Sequence, residues 1–306
     1  MATQTYQGLT NLQKEFYERT LRNRLEPQLL YQKFGQKKPM PKNEGDKINF
    51  RRFDSLAPAT TALTEGVTPE GNTITVTKVE AEVKQYGDFV EISDKLDLLG
   101  IDPVLTEMAG VLGEQAALTI DTVIRDVVVS GTNVQYAGGK EGADSITADD
   151  KITEEEIRKA VKTLKKNNAK PLKDGYYVGI IDPEVAYDIM NDPLWQDISK
   201  YSGGTQIMKG EVGKLCGVRF VETTNNKTEN NGSEIKIHKT MIIGEDAYGV
   251  VDINNSSMPE IIVKPHGSGG SSDPLNQRAS AGWKALLTAV RLNELAMVRI
   301  ESAATE

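Results

Sequence analysis

The 306-residue sequence predicts an α+β protein, and three observations favour this class. Residues 102–131 have the apolar spacing of one very long helix. Two stretches, residues 47–53 and 72–92, alternate apolar and polar side chains as strands do. Between residues 153 and 264 helical and strand patterns alternate, which is typical of a compact α/β or α+β lobe.

The long helix is the element to which the other segments are attached. Asp102 can cap its first free amides, and Pro103 suits the first helical position because a missing N–H costs nothing there. At about 1.5 Å per residue, a helix over residues 103–129 is roughly 40 Å long. Its apolar residues recur at steps of three and four: Val104, Leu105, Met108, Val111, Leu112, Ala116, Thr119, Ile120, Val123 and Val127.

Composition and charge argue against a dedicated nucleic-acid reader. The net charge is −8, whereas such proteins are usually basic. Residues 1–42 are an exception, because they hold eight Lys or Arg and only three Glu. The single cysteine, Cys216, excludes an internal disulfide and fits a reducing compartment. Neither a signal-peptide pattern nor an apolar run of 18 residues is present, so we expect folding in a cytoplasm and no membrane contact.

The first segment, residues 9–34, has the pattern of a polar-rich helix. Two interpretations remain open: an arm that lies on a neighbouring surface, or a helix packed on its own domain. Its basic residues are compatible with contact to a polyanion or with a solvated helix face.

The two alternating stretches predict an extended two-stranded arm. A change of parity near Thr77 and Lys78 suggests a bulge or bend in the second strand. The connection, residues 54–71, is rich in Thr, Pro and Gly. A lone ribbon is marginal in water because it has too few neighbours to bury its faces, so another copy of the chain is the expected support.

In the lobe, the run from Thr153 to Glu156 predicts a capping box at the start of a helix. Asp182 and Pro183 open a shorter helix after a strand at residues 176–181. Further strands are predicted at residues 218–222, 235–243, 248–253 and 260–264. Residues 281–299 are ambiguous, since propensity alone favours a helix there.

Catalytic patterns are nearly absent. His238 lies in an alternating strand and is expected to be partly exposed, while His266 beside a Gly-rich linker is expected to be solvated. Cys216 has no orienting histidine nearby in sequence and is interpreted as a small buried apolar residue. The Gly-rich stretches match no phosphate-binding loop, and the acidic run at residues 144–156 matches no calcium loop. We therefore predict no catalytic residue, no cofactor and no metal.

Three runs of the sequence resemble the major capsid proteins of tailed bacteriophages and prophages, which have the Hong Kong 97-type fold. They are INFRRFDSLAPATTALTEGVTPEG (48–71), QYGDFVEISDKLDLLGIDPVLTEMAGVLGEQAALTIDTVIRDVVVSGTNVQYAGG (85–139) and SAGWKALLTAVRLNELAMVRIES (280–302). The resemblance extends over nearly the whole chain. It consists of many family-like phrases in order rather than one sharp signature.

The resemblance implies five segments. Residues 1–45 would be the N-terminal arm, 46–92 the extended loop, 93–149 the peripheral domain with its spine helix, 150–265 the axial domain, and 266–306 the return to the peripheral domain. It also implies that residues 281–291 and 296–301 are strands, against the helical propensity, and we follow the resemblance.

The implied function is self-assembly through pentamers and hexamers into an icosahedral head that encloses double-stranded DNA. Expected partners are other copies of the chain, a separate scaffolding protein, a portal and packaged DNA bound without sequence specificity; assembly would occur in the bacterial cytoplasm. The charged residues of the extended loop expected at contacts between subunits are Arg51, Arg52, Asp54, Glu65 and Glu70. The residues of the arm that could face DNA are Lys14, Arg19, Arg22 and Arg24.

Three alternatives remain. A bacterial nanocompartment shell would share the fold and enclose cargo enzymes. An enzyme of the lobe would use Asp182, His238 or Cys216. A tail or adhesive protein would form fibres or rings without closed particles.

Overall fold

The structure is a computed structural model that describes residues 19–21, 29–39, 46–53, 56–99, 104–193, 195, 211–251, 259–268 and 273–305. Its helices are α1 (Tyr31–Phe34), α2 (Asp94–Leu99), α3 (Val104–Val129), α4 (Glu154–Lys166) and α5 (Pro183–Asn191). Short 3-10 turns occur at Ala137–Gly139, Ala143–Ser145 and Glu294–Ala296.

The strands are, in chain order, β1 (Gln36–Lys38), β2 (Lys47–Phe53), β3 (Val76–Glu82), β4 (Lys84–Ser93), β5 (Val134–Tyr136), β6 (Tyr177–Ile181), β7 (Glu211–Leu215), β8 (Val218–Glu222), β9 (Thr228–Asn230), β10 (Lys236–Ile243), β11 (Tyr248–Val251), β12 (Glu260–Lys264), β13 (Arg278–Leu287), β14 (Ala289–Arg291) and β15 (Met297–Ser302). They form a seven-stranded sheet, two three-stranded sheets and a two-stranded ribbon.

The predicted long helix is confirmed as α3, called the spine helix below. One stripe of it is buried: Ala109, Leu112, Ala116, Ile120, Ile124 and Val128. Of the predicted stripe, Leu112, Ala116 and Ile120 belong to it. Met108, Thr119, Val123 and Val127 are half-buried. The prediction was wrong for Val111, which is 58% exposed. The stripe packs against β13 and β14. The predicted start at Asp102 and Pro103 lies outside the described residues.

The N-terminal segment packs on the spine helix of its own chain. Leu21 crosses that helix at Gly113, where a Cβ atom would come within 2.7 Å of the Leu21 carbonyl oxygen. Asp121 of the spine helix accepts the backbone N–H groups of Leu30 (3.0 Å) and Tyr31 (2.7 Å). Of the two interpretations of residues 9–34, packing on the own domain therefore holds for the described residues 19–21 and 29–34.

The return segment forms strands, as the resemblance implied and propensity did not. β13 pairs along its whole length with β4 and on its other edge with β12. Its alternate residues Ala281, Trp283, Ala285 and Leu287 are buried in the cluster that contains the spine helix, and the Trp283 indole N–H donates to Gln115 of that helix (3.0 Å). Packing thus overrides helix propensity here.

The seven-stranded sheet has the order β5-β15-β10-β6-β8-β7, with β9 on the edge of β10. One face packs on α4 and α5 through residues such as Leu164, Val185 and Phe220. The other face, including Ile180 and Met241, packs in the cluster of the spine helix. The last strand of the chain, β15, lies inside this sheet between β5 and β10.

Helix α4 begins at Glu154, next to the predicted cap residue, but the predicted capping box does not form. Thr153 occupies the N-cap position without a side-chain capping hydrogen bond. The Glu156 carboxylate instead accepts from the Gln135 amide (2.6 Å) and pairs with Lys159 (3.0 Å).

Candidate assembly surface

The predicted two-stranded ribbon is confirmed. β2 and β3 pair antiparallel from Lys47 opposite Glu82 to Phe53 opposite Val76. The second strand of the prediction, residues 72–92, is interrupted at Val83 rather than near Thr77 and Lys78. The interruption falls at Val83 because the chain changes sheets there: β3 pairs with β2, whereas β4 pairs with β13.

The end of the ribbon that contains Ile48 and Phe50, called the near end, packs against other parts of its own chain. Ile48 and Phe50 are each 1% exposed and pack with Ala81 against Val251 and Leu292. This close approach requires Gly249, because a Cβ atom there would overlap the Phe50 ring. The near end of the ribbon is therefore supported by its own chain and not by a second copy, as had been expected for the whole ribbon.

The opposite end of the ribbon, called the far end, is not packed against any other part of the chain within the described residues. Residues 56–75 contain no helix or strand, and every one of them is exposed. A turn at residues 64–67 gives them one local hydrogen bond, from the Val67 N–H to the Thr64 carbonyl (3.1 Å), with Gly66 at a positive φ of 78°. We define the apolar tip as the six large apolar residues that are exposed at this end: Phe53, Leu56, Leu63, Val67, Ile74 and Val76.

Apolar side chains this exposed and this close in sequence are unusual on a monomeric surface. Leu63 is 77% exposed and Phe53 67%. The sequence analysis named only charged residues in this loop. The signal it did not use was the presence of large apolar residues within a Thr-, Pro- and Gly-rich connection that offers them no partner.

The predicted contact residues of the loop lie on the same projection. Arg51, Arg52, Glu65 and Glu70 are all exposed. Arg52 donates to the Leu292 carbonyl oxygen at the base (3.2 Å), while Arg51 lies opposite Lys78, another cation. Asp54 lies outside the described residues.

Of the arm residues that were expected to face DNA, only Arg19 is described, and it is exposed. Lys14, Arg22 and Arg24 lie outside the described residues.

The one cluster with ligand-type chemistry in the described part of the chain is Asp182, Glu184 and His238. His238 Nδ1 contacts Asp182 Oδ2, and its Nε2 lies 3.3 Å from Glu184 Oε2. These three residues could in principle hold a metal ion. Lys236, however, donates to both oxygens of Glu184 (2.9 and 2.7 Å), so the charge of this carboxylate is already balanced by an ammonium group.

The expected partial exposure of His238 was wrong, since it is 1% exposed. Its strand, β10, lies inside the seven-stranded sheet with both faces covered, so alternation along the strand does not separate buried from exposed residues. The expected solvation of His266 was also wrong, because the residue is half-buried and both of its ring nitrogens are shielded from solvent.

Cys216 is half-buried, with its Sγ 3.3 Å from Glu154 Oε1. Burial raises the pKa of this thiol, which opposes formation of the thiolate that a nucleophile needs. Glu154 adds to this shift and Arg158 opposes it, and the net result is a raised pKa that disfavours the thiolate.

No helix among the described residues is both long enough and apolar enough to cross a membrane.

The fold is shared with solved phage capsids and with a virus-like particle, each at low identity. The capsid of Ralstonia phage GP4 matches with a TM-score of 0.74 and 12% identity, over 89% of this chain and 88% of that one. The capsid of cyanophage P-SCSP1u matches with a TM-score of 0.64 and 16% identity, over 90% and 89%. A virus-like particle from Pyrococcus furiosus matches with a TM-score of 0.55 and 13% identity, over 94% and 98%. The class defined by these likenesses is the Hong Kong 97-type capsid fold.

The sequence itself places the chain within that class. The family model described as phage capsid protein matches residues 76–300. The chain belongs to this family of phage capsid proteins, and its function is that of a structural subunit of a phage head, which associates with copies of itself. No curated protein matches the sequence.

Proposed function

We propose that this chain is the major subunit of an icosahedral phage head, assembled through pentamers and hexamers around double-stranded DNA. The observation that carries the proposal is the division of the ribbon. Its near end is buried on its own body, while its apolar tip projects with no partner in the described part of the chain. In a shell, that tip lies on the next subunit.

Contact with the next subunit would bury the apolar tip. A large aliphatic or aromatic side chain contributes about 1.5–3 kcal/mol when it is fully removed from water. The interface is heterologous, since the tip of one copy meets the body of the next, and such contacts close into rings when the rotation between copies permits. Arg51, Arg52, Asp54, Glu65 and Glu70 would form ion pairs across it that fix the register of the tip.

The five segments inferred from the resemblance are part of this proposal. They are an arm at residues 1–45, the extended loop at 46–92, a peripheral domain at 93–149, an axial domain at 150–265 and a return at 266–306. The return is supported by β13, which pairs with β4 beside the spine helix.

The remaining partners follow from the same role. Lys14, Arg19, Arg22 and Arg24 would face packaged DNA and contact it without sequence specificity. A separate scaffolding protein and a portal would direct assembly in the bacterial cytoplasm. We expect no enzymatic activity. In variants that still fold, the yield of shells would therefore be unchanged by the substitutions Asp182→Asn, His238→Gln and Cys216→Ala.

Electron microscopy of the purified full-length chain, alone or with the other head proteins, tests the proposal. Closed particles of uniform size that contain nuclease-protected DNA after infection or induction are the expected result. Closed particles that hold protein cargo instead of DNA would favour a nanocompartment shell. Fibres, open rings or a monomer at high concentration would contradict the proposal.

A further inference from the structure

The most basic segment of the described chain is not in the N-terminal arm but in the lobe. Residues 158–173 contain seven Lys or Arg residues and no acidic one, in a chain whose net charge is −8. All seven are exposed: Arg158, Lys159, Lys162, Lys165, Lys166, Lys170 and Lys173. The sequence analysis considered only residues 1–42 as a basic segment and passed over this one.

Five of these residues lie on a single side of α4. At 100° per residue, they fall within an arc of about 120° on the helix. We call this set the basic face: Arg158, Lys159, Lys162, Lys165 and Lys166. The opposite side of α4, including Ile157, Ala160 and Leu164, is buried against the seven-stranded sheet. Arg158, Lys162 and Lys165 also line a groove open to solvent, beside Val161 and Cys216.

Stability of the helix explains part of the basic face. Arg158 pairs with Glu154, and Lys159 pairs with Glu155 (3.1 Å) and Glu156 (3.0 Å). Lys165 and Lys166 stand in the last turn, where cations interact favourably with the helix dipole.

Lys162 has no such explanation. Its neighbours three and four positions away are Arg158, Lys159, Lys165 and Lys166, all of them basic. Like charges at these spacings destabilise a helix. Within the described residues no carboxylate forms a salt bridge with Lys162, Lys165 or Lys166. A local arrangement that opposes the stability of its own helix is expected where the side chains serve a function.

We infer that the basic face binds the phosphate backbone of duplex DNA. This rests on the proposed function in one respect, namely that duplex DNA is the polyanion that a phage head encloses. The distance along the helix axis from Arg158 to Lys165 is about 10 Å. At about 3.4 Å of axial rise per phosphate on one strand, that length matches about three phosphates.

The chemistry of the face suits contact without reading of sequence. Four of its five residues are lysines, whose ammonium groups act as point charges and not as planar forks that read base edges. Binding would depend strongly on salt and little on base composition.

The first test measures binding of a mixed-sequence 30-base-pair duplex to the unassembled full-length chain across a salt series. The triple variant Lys162→Gln, Lys165→Gln, Lys166→Gln removes three charges from the basic face. The plot of log K against log salt has a negative slope, and each lost phosphate contact makes it less steep by about 0.9. The magnitude of the slope should therefore decrease by about 2 to 3.

The matched control removes three exposed lysines from elsewhere, by Lys84→Gln, Lys95→Gln and Lys264→Gln. It carries the same change in net charge and should keep the slope of the unaltered chain. An equal fall in both variants would show that only net charge matters, and it would overturn the inference.

The second test uses Lys162→Glu, for which two readouts should move in opposite directions. Thermal stability of the unassembled chain should rise because four like-charge contacts are replaced by attractive ones, while affinity for the duplex should fall. Unchanged affinity would overturn the inference whatever happens to stability.

Electron microscopy of the same variants separates this inference from the proposed function. Shells of normal size that retain less DNA are the expected result. Loss of shells with unchanged affinity for the duplex would show that the basic face is a contact between subunits, and it would overturn the inference while leaving the capsid role intact.

Discussion

The apolar tip and the seven-stranded sheet contain similar apolar side chains, which are exposed in the tip and buried in the sheet. In the sheet, Phe220 and Ile242 are fully buried between strands and helices of the same chain. At the tip, Phe53 and Leu63 are mostly exposed, although they are equally apolar. The sheet packs within one chain, whereas the partner proposed for the tip is another copy of the chain. Stability of the subunit and stability of the shell should therefore respond to different residues.

Removal of residues 54–75, which carry four of the six side chains of the apolar tip, should have the largest effect. Because Phe53 lies opposite Val76, residues 54–75 can be replaced by Asn-Gly, which closes a two-residue hairpin. We expect assembly to be abolished, since the contact with the next subunit is gone, while the thermal unfolding midpoint of the unassembled chain stays nearly the same. Electron microscopy and calorimetry on one preparation measure both. A normal yield of shells from this variant would show that the tip is not required for assembly.

The reverse pattern is expected for the sheet. Phe220→Ala empties a fully buried site between β8 and the helices and should lower the free energy of unfolding by about 3–5 kcal/mol. Urea unfolding of the unassembled chain measures this. A loss below about 1 kcal/mol would show that the sheet is not the self-sufficient region proposed here.

A milder change at the tip sharpens the comparison. Leu63→Ser with Val67→Ser keeps the length of the loop and removes two apolar contacts. We expect the protein concentration required for assembly to rise at least about tenfold, because two side chains at about 1.5–3 kcal/mol each exceed the 1.4 kcal/mol of one decade.

The control for that change is Leu275→Ser with Leu295→Ser, which alters two exposed leucines outside the ribbon. It should leave the required concentration unchanged. An equal rise in both double variants would mean that general surface hydrophobicity, not the tip, drives association.

The smallest effect concerns the joint between the N-terminal segment and the spine helix. Burial raises the pKa of Asp121 to about 6, against the backbone hydrogen bonds from Tyr31 and Leu30 that lower it. The folded chain therefore binds a proton that the unfolded chain, with a pKa near 3.8, releases. Stability from this group is present below about pH 4 and is lost as the pH rises through 6, by at most about 3 kcal/mol.

Asp121→Asn should remove this component, because the amide oxygen still accepts the N–H groups of Leu30 and Tyr31 without a charge to bury. The charged and titratable groups around the site, Arg125, Tyr31 and Tyr248, remain in both proteins. Urea unfolding of both from pH 4.5 to 7.5 should show that the variant gains relative stability as the pH rises. A constant difference between the two would contradict the assignment.

The sequence predicts the elements of this fold better than their surroundings. The spine helix was predictable because one stripe of a long helix must be buried, and the ribbon because two long alternating runs flank a breaker-rich connection. Burial of His238 was not predictable, since strand alternation is silent about how many layers cover a sheet. β13 could not be found from propensity either, because its long partner β4 and the spine helix that it packs on lie far away in sequence.

The position of the extended loop was predicted from the sequence, whereas its exposed apolar residues were not. The loop and its charged residues were identified, whereas Phe53, Leu63 and the other apolar residues of the tip were passed over. Their importance depends on exposure, and exposure is a property of the folded chain. The basic face, in contrast, was predictable, because a helix was expected from Thr153 and the spacing of Arg158, Lys162 and Lys165 places them on one side of it.

Hydrogen exchange before and after assembly tests the central claim most directly. Amides of residues 56–75 should exchange within seconds in the unassembled chain and become protected in the shell, while those of β10 should be protected in both states. Protection of residues 56–75 already in the isolated chain, or lack of protection in the shell, would contradict the proposed contact.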